Sequence, residues 1–536
     1  MYLSHGILSA IYFVGADAAV NLLTDITKIS RMWGQISVYA NNEENVFGVD
    51  YVGLPAGCQI ESAHTLQRHA QRFPIGYEED GINNERFAGK VSNFTKSSNS
   101  TSEFTGPLEF LNSYTYTMET TGLLTGLGAA TEFSSGVQFW NQYGRTLFNA
   151  SVGQKSYNAS FENGTLREPI VMRTTDQARI QNSEINWALG FFGPTYQTVA
   201  NQELTNWTSP FELVIIPEGG TENNTLAAYD SCFNDFDPII GQLGDLDVFT
   251  YIPKYLGPAT KRLQEYAPQG FTLTTNDTYA MQVICAYEYN FLGSSDFCYH
   301  FTADEWAGFE NTLDMAYYYD YAFGNPTGRA QGIGYVQELL ARLQNEYITV
   351  SNSSVNSTLD DNTTTFPLAQ KFYADFSHDD IIVSALTAMS LDYLKDPPSL
   401  TQFPPNPNRH FILSQITPFG ARLITEVIGC TSEDPAPMKK SRTQYTPSQY
   451  GYDPANATTK FVRIRLNNGI LPLDTIRGGA CGNSTGGRVD GMCEMSAFIE
   501  SQANSYQLSN YDYACFANYT VADPTSGQDY DGAIRD

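Results

Sequence analysis

Apolar positions along the chain change period, and the change predicts its elements. From Gln59 to Gln67 (QIESAHTLQ), small and apolar residues alternate with polar ones, the period of a strand. The same alternation recurs in Lys371–Phe376 (Phe372, Ala374, Phe376), in Arg422–Ile428 and in Phe461–Leu466 (FVRIRL). Between about 176 and 345 the helical period dominates. Its clearest case is Arg329–Gln344, where Ile333, Val336, Leu339, Leu340 and Leu343 share one face. Asp380–Leu391 reads as a dense apolar helix. Three Ser/Asn/Thr-rich stretches, 92–103, 149–165 and 351–365, read as exposed loops. No internal repeat is visible. Strands at both ends with helices between predict an α/β domain carrying a smaller inserted α-helical domain. The expected division is an N-terminal arm at 19–57 and a main domain at 58–536. Within the latter, the α/β parts fall at about 58–180 and 345–536 and the helical insert at about 180–345.

The first residues read as an address. Gly6–Ala16 is a short apolar run and Ala16-Asp17-Ala18 an A-x-A cleavage pattern, so residues 1–18 are expected to be a signal peptide. The run is too short to span a bilayer, and no later run is long enough, so no membrane span is expected. Eight cysteines (Cys58, Cys232, Cys285, Cys298, Cys430, Cys481, Cys493, Cys515) include no CxxC pair, which favours disulfides over a zinc site. Candidate glycosylation sites are Asn93, Asn99, Asn149, Asn158, Asn163, Asn206, Asn223, Asn276, Asn352, Asn356, Asn362, Asn456, Asn483 and Asn518. Together these features predict a secreted glycoprotein of the extracellular, periplasmic or cell-wall space.

Charge removes one class of function. With 30 Lys and Arg against 58 Asp and Glu, the net charge of -28 argues against binding a nucleic-acid backbone. Only 16% of residues are charged, while 34 Tyr and 32 Phe supply core, so disorder is also excluded. The sequence pI of about 4.5 suits an acidic workplace, where self-repulsion fades.

Three clusters carry chemistry. Arg68-His69-Ala70-Gln71-Arg72-Phe73-Pro74 directly follows the first strand. Two guanidiniums give bidentate grips on phosphate oxygens, and their charge keeps the imidazole neutral, as a nucleophile must be. The bland alternative is a basic surface patch. Ser377-His378-Asp379-Asp380 follows a second strand; Ser377 and Asp380 fit a capping box, which would place His378 and Asp379 in a helical first turn. There the amides face an anion and an acid could protonate a leaving oxygen. The alternative is simple capping. Arg173-Thr174-Thr175-Asp176-Gln177-Ala178-Arg179 says little alone, since loop arginines are mostly solvated. Strand carboxyl ends are where ligands bind in open α/β sheets, so the clusters point to phosphoryl transfer, and with no GxxxxGK(S/T) loop or metal constellation apparent in the sequence it would be metal-free, with no cofactor.

In these residues the chain resembles the histidine acid phosphatases, branch two of the histidine phosphatase superfamily, and among them the secreted fungal and yeast enzymes that include phytases. The resemblance runs from about Trp33 to Cys515. Arg68-His69-x-x-Arg72-x-Pro74 is similar to the family's R-H-G-x-R-x-P, and His378-Asp379 to its H-D pair. Arg173, Thr175, Arg179 and Ser183 fall at the family's spacing for a third phosphate-binding arginine and its helix. Pro418–Arg422 and Phe461–Leu466 also look like family segments. The resemblance implies a central mixed sheet flanked by helices. It also implies His69 as nucleophile and Asp379 as general acid, with Arg68, Arg72, Arg173 and His378 holding phosphate. It further implies disulfides Cys58–Cys430, Cys232–Cys515, Cys285–Cys298 and Cys481–Cys493. Substrates would be phosphate monoesters, phytate included, and the arm leaves open a homo-oligomer.

Departures from the family pattern shape the expectation. Its Gly is Ala70 here, which would be strained if φ were positive. Glu78-Glu79-Asp80 stands where some phytases carry lysines; Arg86 and Lys90 are the nearest cations. His64, His300 and His410 read as structural, and Tyr317–Tyr321 as helix packing. The alternatives to a phytate-hydrolysing acid phosphatase are a broad-specificity acid phosphatase, a non-catalytic surface glycoprotein on the same fold, and, more remotely, a mutase.

Overall fold

The computed structural model describes residues 20–43, 45–50, 53–78, 80–97, 102–193, 209–437, 451–485 and 488–535. The expected signal peptide at 1–18, Glu79, and the glycosylation candidates Asn99 and Asn206 lie outside the described residues. Among the described residues eight strands form one sheet: β1 (Cys58–Arg68), β2 (Ile170–Thr175), β3 (Phe211–Ile216), β4 (Phe372–Ser377), β5 (Arg422–Cys430), β6 (Thr459–Leu466), β7 (Gly469–Ile470) and β8 (Cys493–Glu494). Their order is β3-β2-β4-β1-β5-β6-β7, with β8 also pairing with β6. β1 pairs in parallel with β4 and β4 with β2, while β5 runs antiparallel to β1, so the sheet is mixed. Central β4 and β5 are buried along their whole length, which only a strand covered on both faces requires.

Helices of ten residues or more among the described residues are α1 (Gly81–Lys96), α2 (Gly126–Phe139), α3 (Ala178–Phe192), α4 (Leu243–Gln264), α5 (Thr275–Leu292), α6 (Ala303–Tyr321), α7 (Gly328–Gln344) and α8 (Asp379–Ala388). α5 and α6 each open with a full capping box, Thr274/Asp277 and Thr302/Glu305. α7 carries the expected apolar face and ends on Asn345 in the left-handed conformation. It lies so close to α8 that a Cβ on Gly332 would meet the Ser384 carbonyl oxygen at 1.9 Å. α4 to α7 form the helical part, but its expected start near 180 is displaced. β3 lies inside that span and is an edge strand of the sheet. Its FELVII run is a short apolar stretch with no helical or strand period of its own. The loop expected at 92–103 also begins inside α1.

The N-terminal arm packs on its own chain. Trp33 is fully buried, with Tyr289 and Trp306 rings at 5.6 and 6.3 Å. Four disulfides join Cys58–Cys430, Cys232–Cys515, Cys285–Cys298 and Cys481–Cys493. The first links directly opposed residues of β1 and β5. Among the described glycosylation candidates, Asn356 is half-buried and the others are exposed. The Asn223 amide already donates to Ser351, Ser353 and Val355.

Candidate active site

The parallel strands β1, β4 and β2 deliver their carboxyl ends to one place. His69 follows β1, and its amide donates to the Ser377 carbonyl at the end of β4, 3.1 Å away. The His69 carbonyl accepts from Gly420, whose φ of 70° lets that turn close over β1. A cavity of about 370 Å³ opens there, lined by His69, Arg72, Arg179, His378 and Asp379 among others. Its far walls come from the helical part and from Gln35 and Ile36 of the arm.

His69 is buried and 2.8 Å from the carbonyl oxygen of Ala70 through Nδ1. A carbonyl only accepts, so Nδ1 carries the proton and Nε2 keeps its lone pair. Burial, then Arg68, Arg179 and Arg72, hold the imidazole well below its ordinary pKa. It is therefore neutral in acid. Ala70 does not take a left-handed conformation, so the methyl that replaces the family glycine brings no backbone strain.

The arginines divide into two groups. Arg68 donates to the Thr417 carbonyl at 2.7 Å, pairs with Asp379 at 2.7 Å and lies 4.6 Å over the Phe419 ring. Arg72 donates to Tyr287 and to the Phe73 carbonyl and is 3.4 Å from Asp80. Arg179 stands at the start of α3 and lines the cavity. The Nε atoms of all three are buried and lack a hydrogen-bond partner among the described residues, so Arg72 and Arg179, which line the cavity, each retain a donor for an anion. Arg173 differs. It sits in mid-strand opposite Asp375, 2.7 Å from that carboxylate, 2.5 Å from Glu338 and 3.6 Å from Asp360. Asp375 and Glu338 occupy its Nε and Nη2 and it does not line the cavity, so the phosphate contact expected of Arg173 does not fit this placement.

His378 and Asp379 meet His69 as expected of neighbouring strand ends; the two imidazoles are 6.1 Å apart. The expected capping box is absent. Ser377 is still strand, its hydroxyl donates to the Leu226 carbonyl, and His378 itself is the N-cap. Glu218 accepts from His378 Nε2 at 2.8 Å, and Tyr229 donates to Glu218 at 3.0 Å. Burial alone would raise Glu218; His378 and its other donors bring it below the ordinary value. Asp379 opens α8. Against burial, Arg68 and the Tyr317 hydroxyl lower its pKa. Tyr317 and Tyr321 line the cavity, a correction to the packing role read from the sequence, whereas Tyr318 and Tyr319 do pack in the core. Arg86 pairs with Glu78 and Lys90 with Asp277, so neither supplies the cavity with charge. His64 stacks on Tyr373, His300 on Phe110 and His410 on Tyr393.

The model of the histidine phosphatase superfamily (branch 2) matches residues 59–467. Phytase A of Aspergillus oryzae is 30% identical over 496 residues, 91% of each chain. Phytase A of Aspergillus fumigatus is 29% identical over 456 residues, 84% of this chain and 89% of that protein. Among solved structures, the phytase from D. castellii superposes with a TM-score of 0.65 at 21% identity, covering 93% of this chain and 90% of that one, a likeness of fold. The chain belongs to branch 2 of the histidine phosphatase superfamily and is a phosphoric monoester hydrolase.

Proposed function

We propose that this chain is a secreted acid phosphatase that hydrolyses phosphate monoesters, phytate among them, through a phosphohistidine on His69. The observation that carries the reading is the pair of buried, unpartnered Nε donors of the cavity-lining Arg72 and Arg179 beside a neutral imidazole that also feels the Arg68 charge. A phosphoryl group held there accepts those donors. The Nε2 lone pair of His69 forms the N–P bond as the ester P–O bond breaks. Asp379 gives its proton to the departing alkoxide oxygen. Water then attacks phosphorus, its proton returns to Asp379, and the N–P electron pair returns to His69. His378, held by Glu218, faces the same phosphoryl group. Four disulfides suit an oxidising compartment outside the cell.

Phytate enters through the relatives, which are named phytases, and the cavity wall sets its condition. Asp235, Asp245, Asp320 and Asp380 line the part beyond the arginines, with Tyr77 and Tyr321. Burial pushes Asp235 up to about 8 and, with Asp379 and Asp235 beside it, holds Asp380 far above a carboxyl's usual range. In acid Asp235 and Asp380 are therefore protonated and donate hydrogen bonds to further phosphates. As they ionise, they repel them. The test is phosphate release from phytate and from p-nitrophenyl phosphate at pH 2.5 to 7, with EDTA, in wild type and His69→Ala. The expected result is turnover of both substrates, lost in the mutant, with a phytate-to-aryl ratio that falls as pH rises. Absence of phytate turnover at every pH refutes the phytate reading, and a folded wild type without any turnover refutes the enzymatic one.

A further inference from the structure

Asp379 has two carboxyl oxygens, and both of its strong donors use the same one. Arg68 Nη2 and the Tyr317 hydroxyl each approach Oδ2 at 2.7 Å. No hydrogen bond to Oδ1 comes from either. An oxygen already accepting from a phenol and ion-paired with a guanidinium is a poor place for a proton, since the proton would sit between the phenol's hydrogen and a positive charge. The proton that leaves with the alcohol then belongs on Oδ1. Tyr317 projects from α6 and is half-buried in the cavity lining. Its hydroxyl makes no other hydrogen bond among the described residues. Packing alone would need a phenylalanine.

We propose that Tyr317 is a positioning residue for the general acid: with Arg68 it fixes Oδ2, so that Oδ1 delivers the proton to the leaving oxygen. This rests on the reading of Asp379 as that acid. The transfer adds no new reactant: the Oδ1–H bond breaks as the leaving oxygen gains the proton, and Asp379 is left as the carboxylate, which Tyr317 and Arg68 stabilise. The groups facing Asp379 are Arg68 at the end of β1, Arg72 beyond it, Arg179 on α3, Tyr317 on α6, and His378 and Asp380 on its own segment. Glu218 faces Asp380 from behind His378. Among them Tyr317 is the neutral donor, and removing its hydroxyl changes no charge.

The experiment compares two substrates in Tyr317→Phe, Asp379→Asn and the double mutant. Glycerol 2-phosphate has a leaving group that needs a proton; p-nitrophenyl phosphate has one that does not. Asp379→Asn is expected to slow the alkyl ester by about 100-fold or more beyond its effect on the aryl ester. Tyr317→Phe is expected to slow the alkyl ester about tenfold and the aryl ester less than about threefold, and to have no selective effect once Asp379 is Asn. The phenol favours ionised Asp379, so its loss moves the alkaline limb of kcat/KM upward by roughly half a pH unit. A fluorotyrosine at 317 keeps the ring and donates more strongly, so it moves the limb the other way; this arm serves if Tyr317→Phe does not fold. Equal loss of both substrates with an unmoved limb, or no loss at all, overturns the proposal. Absence of leaving-group selectivity in Asp379→Asn overturns the underlying reading of the acid instead.

Discussion

Replacing Arg173 and Arg179 separately by alanine should produce opposite phenotypes. The two stand six residues apart at one strand–helix junction, and only one reaches the cavity. Arg173 is 2% exposed and touches Asp375 and Glu338 at 2.7 and 2.5 Å, both carboxylates also buried. Arg342 supports Asp375 from the other side at 2.6 Å, but Glu338 has no second cation of that kind among the described residues. Arg173→Ala therefore strands a buried carboxylate and halves the support of another. Breaking such a pair costs about 3–5 kcal/mol, a large share of a total near 5–15 kcal/mol. Arg179→Ala removes a desolvated cation whose Nε has no partner, so stability should hardly change. It should cost a charged hydrogen bond to the substrate, about 1.5–3 kcal/mol, or roughly 10- to 100-fold in kcat/KM. Urea unfolding followed by circular dichroism reads the first quantity, and p-nitrophenyl phosphate kinetics on folded protein the second. The reasoning is refuted if Arg173→Ala unfolds with the wild type and loses kcat/KM while Arg179→Ala keeps it.

Stability should fall as pH rises from about 4.5 toward 8. Glu132 and Glu184 are buried and pushed up to about 8, so the folded state keeps protons that the unfolded chain releases near its ordinary 4.5. Each contributes a loss of up to about 1.4 kcal/mol per pH unit over that window. Glu426 has the opposite sign: against burial, Arg463 and Arg465 hold it down at about 2, so its contribution is lost only below about pH 4. Urea midpoints at pH 4.5 and 7.5 should decrease in that order, and Glu184→Gln should flatten the slope; a midpoint that rises with pH contradicts this. Ala70→Gly should keep kcat within about twofold and lose roughly 0.5–1 kcal/mol of stability, because the backbone there needs no left-handed residue. A large gain in kcat would show that the methyl obstructs phosphate.

The motifs were legible because chemistry fixes them locally. Arg68, His69 and Arg72 lie within five residues at the end of one strand, and His378 and Asp379 at the end of its neighbour. What failed was decided at long range. Spacing alone could not tell a mid-strand arginine from one on a helical first turn. A signal existed in Asp375, an acid in an otherwise apolar strand that needs a buried cation, and the β2–β4 register sets it opposite Arg173. β3 escaped because FELVII is too short to show a period, and its strand character comes from pairing with β2. Tyr317 looked like packing because its partner Asp379 is 62 residues away. The arm gave no hint that Gln35 offers its carbonyl to Arg68.

The account depends above all on a covalent phosphohistidine at His69. Rapid acid-free quenching during turnover of a ³²P-labelled monoester, followed by peptide mapping, tests it most directly. The prediction is label that is stable in alkali and labile in acid, on the peptide containing His69, and absent from folded His69→Ala along with turnover. Label on another residue, or wild-type turnover by folded His69→Ala, would contradict it.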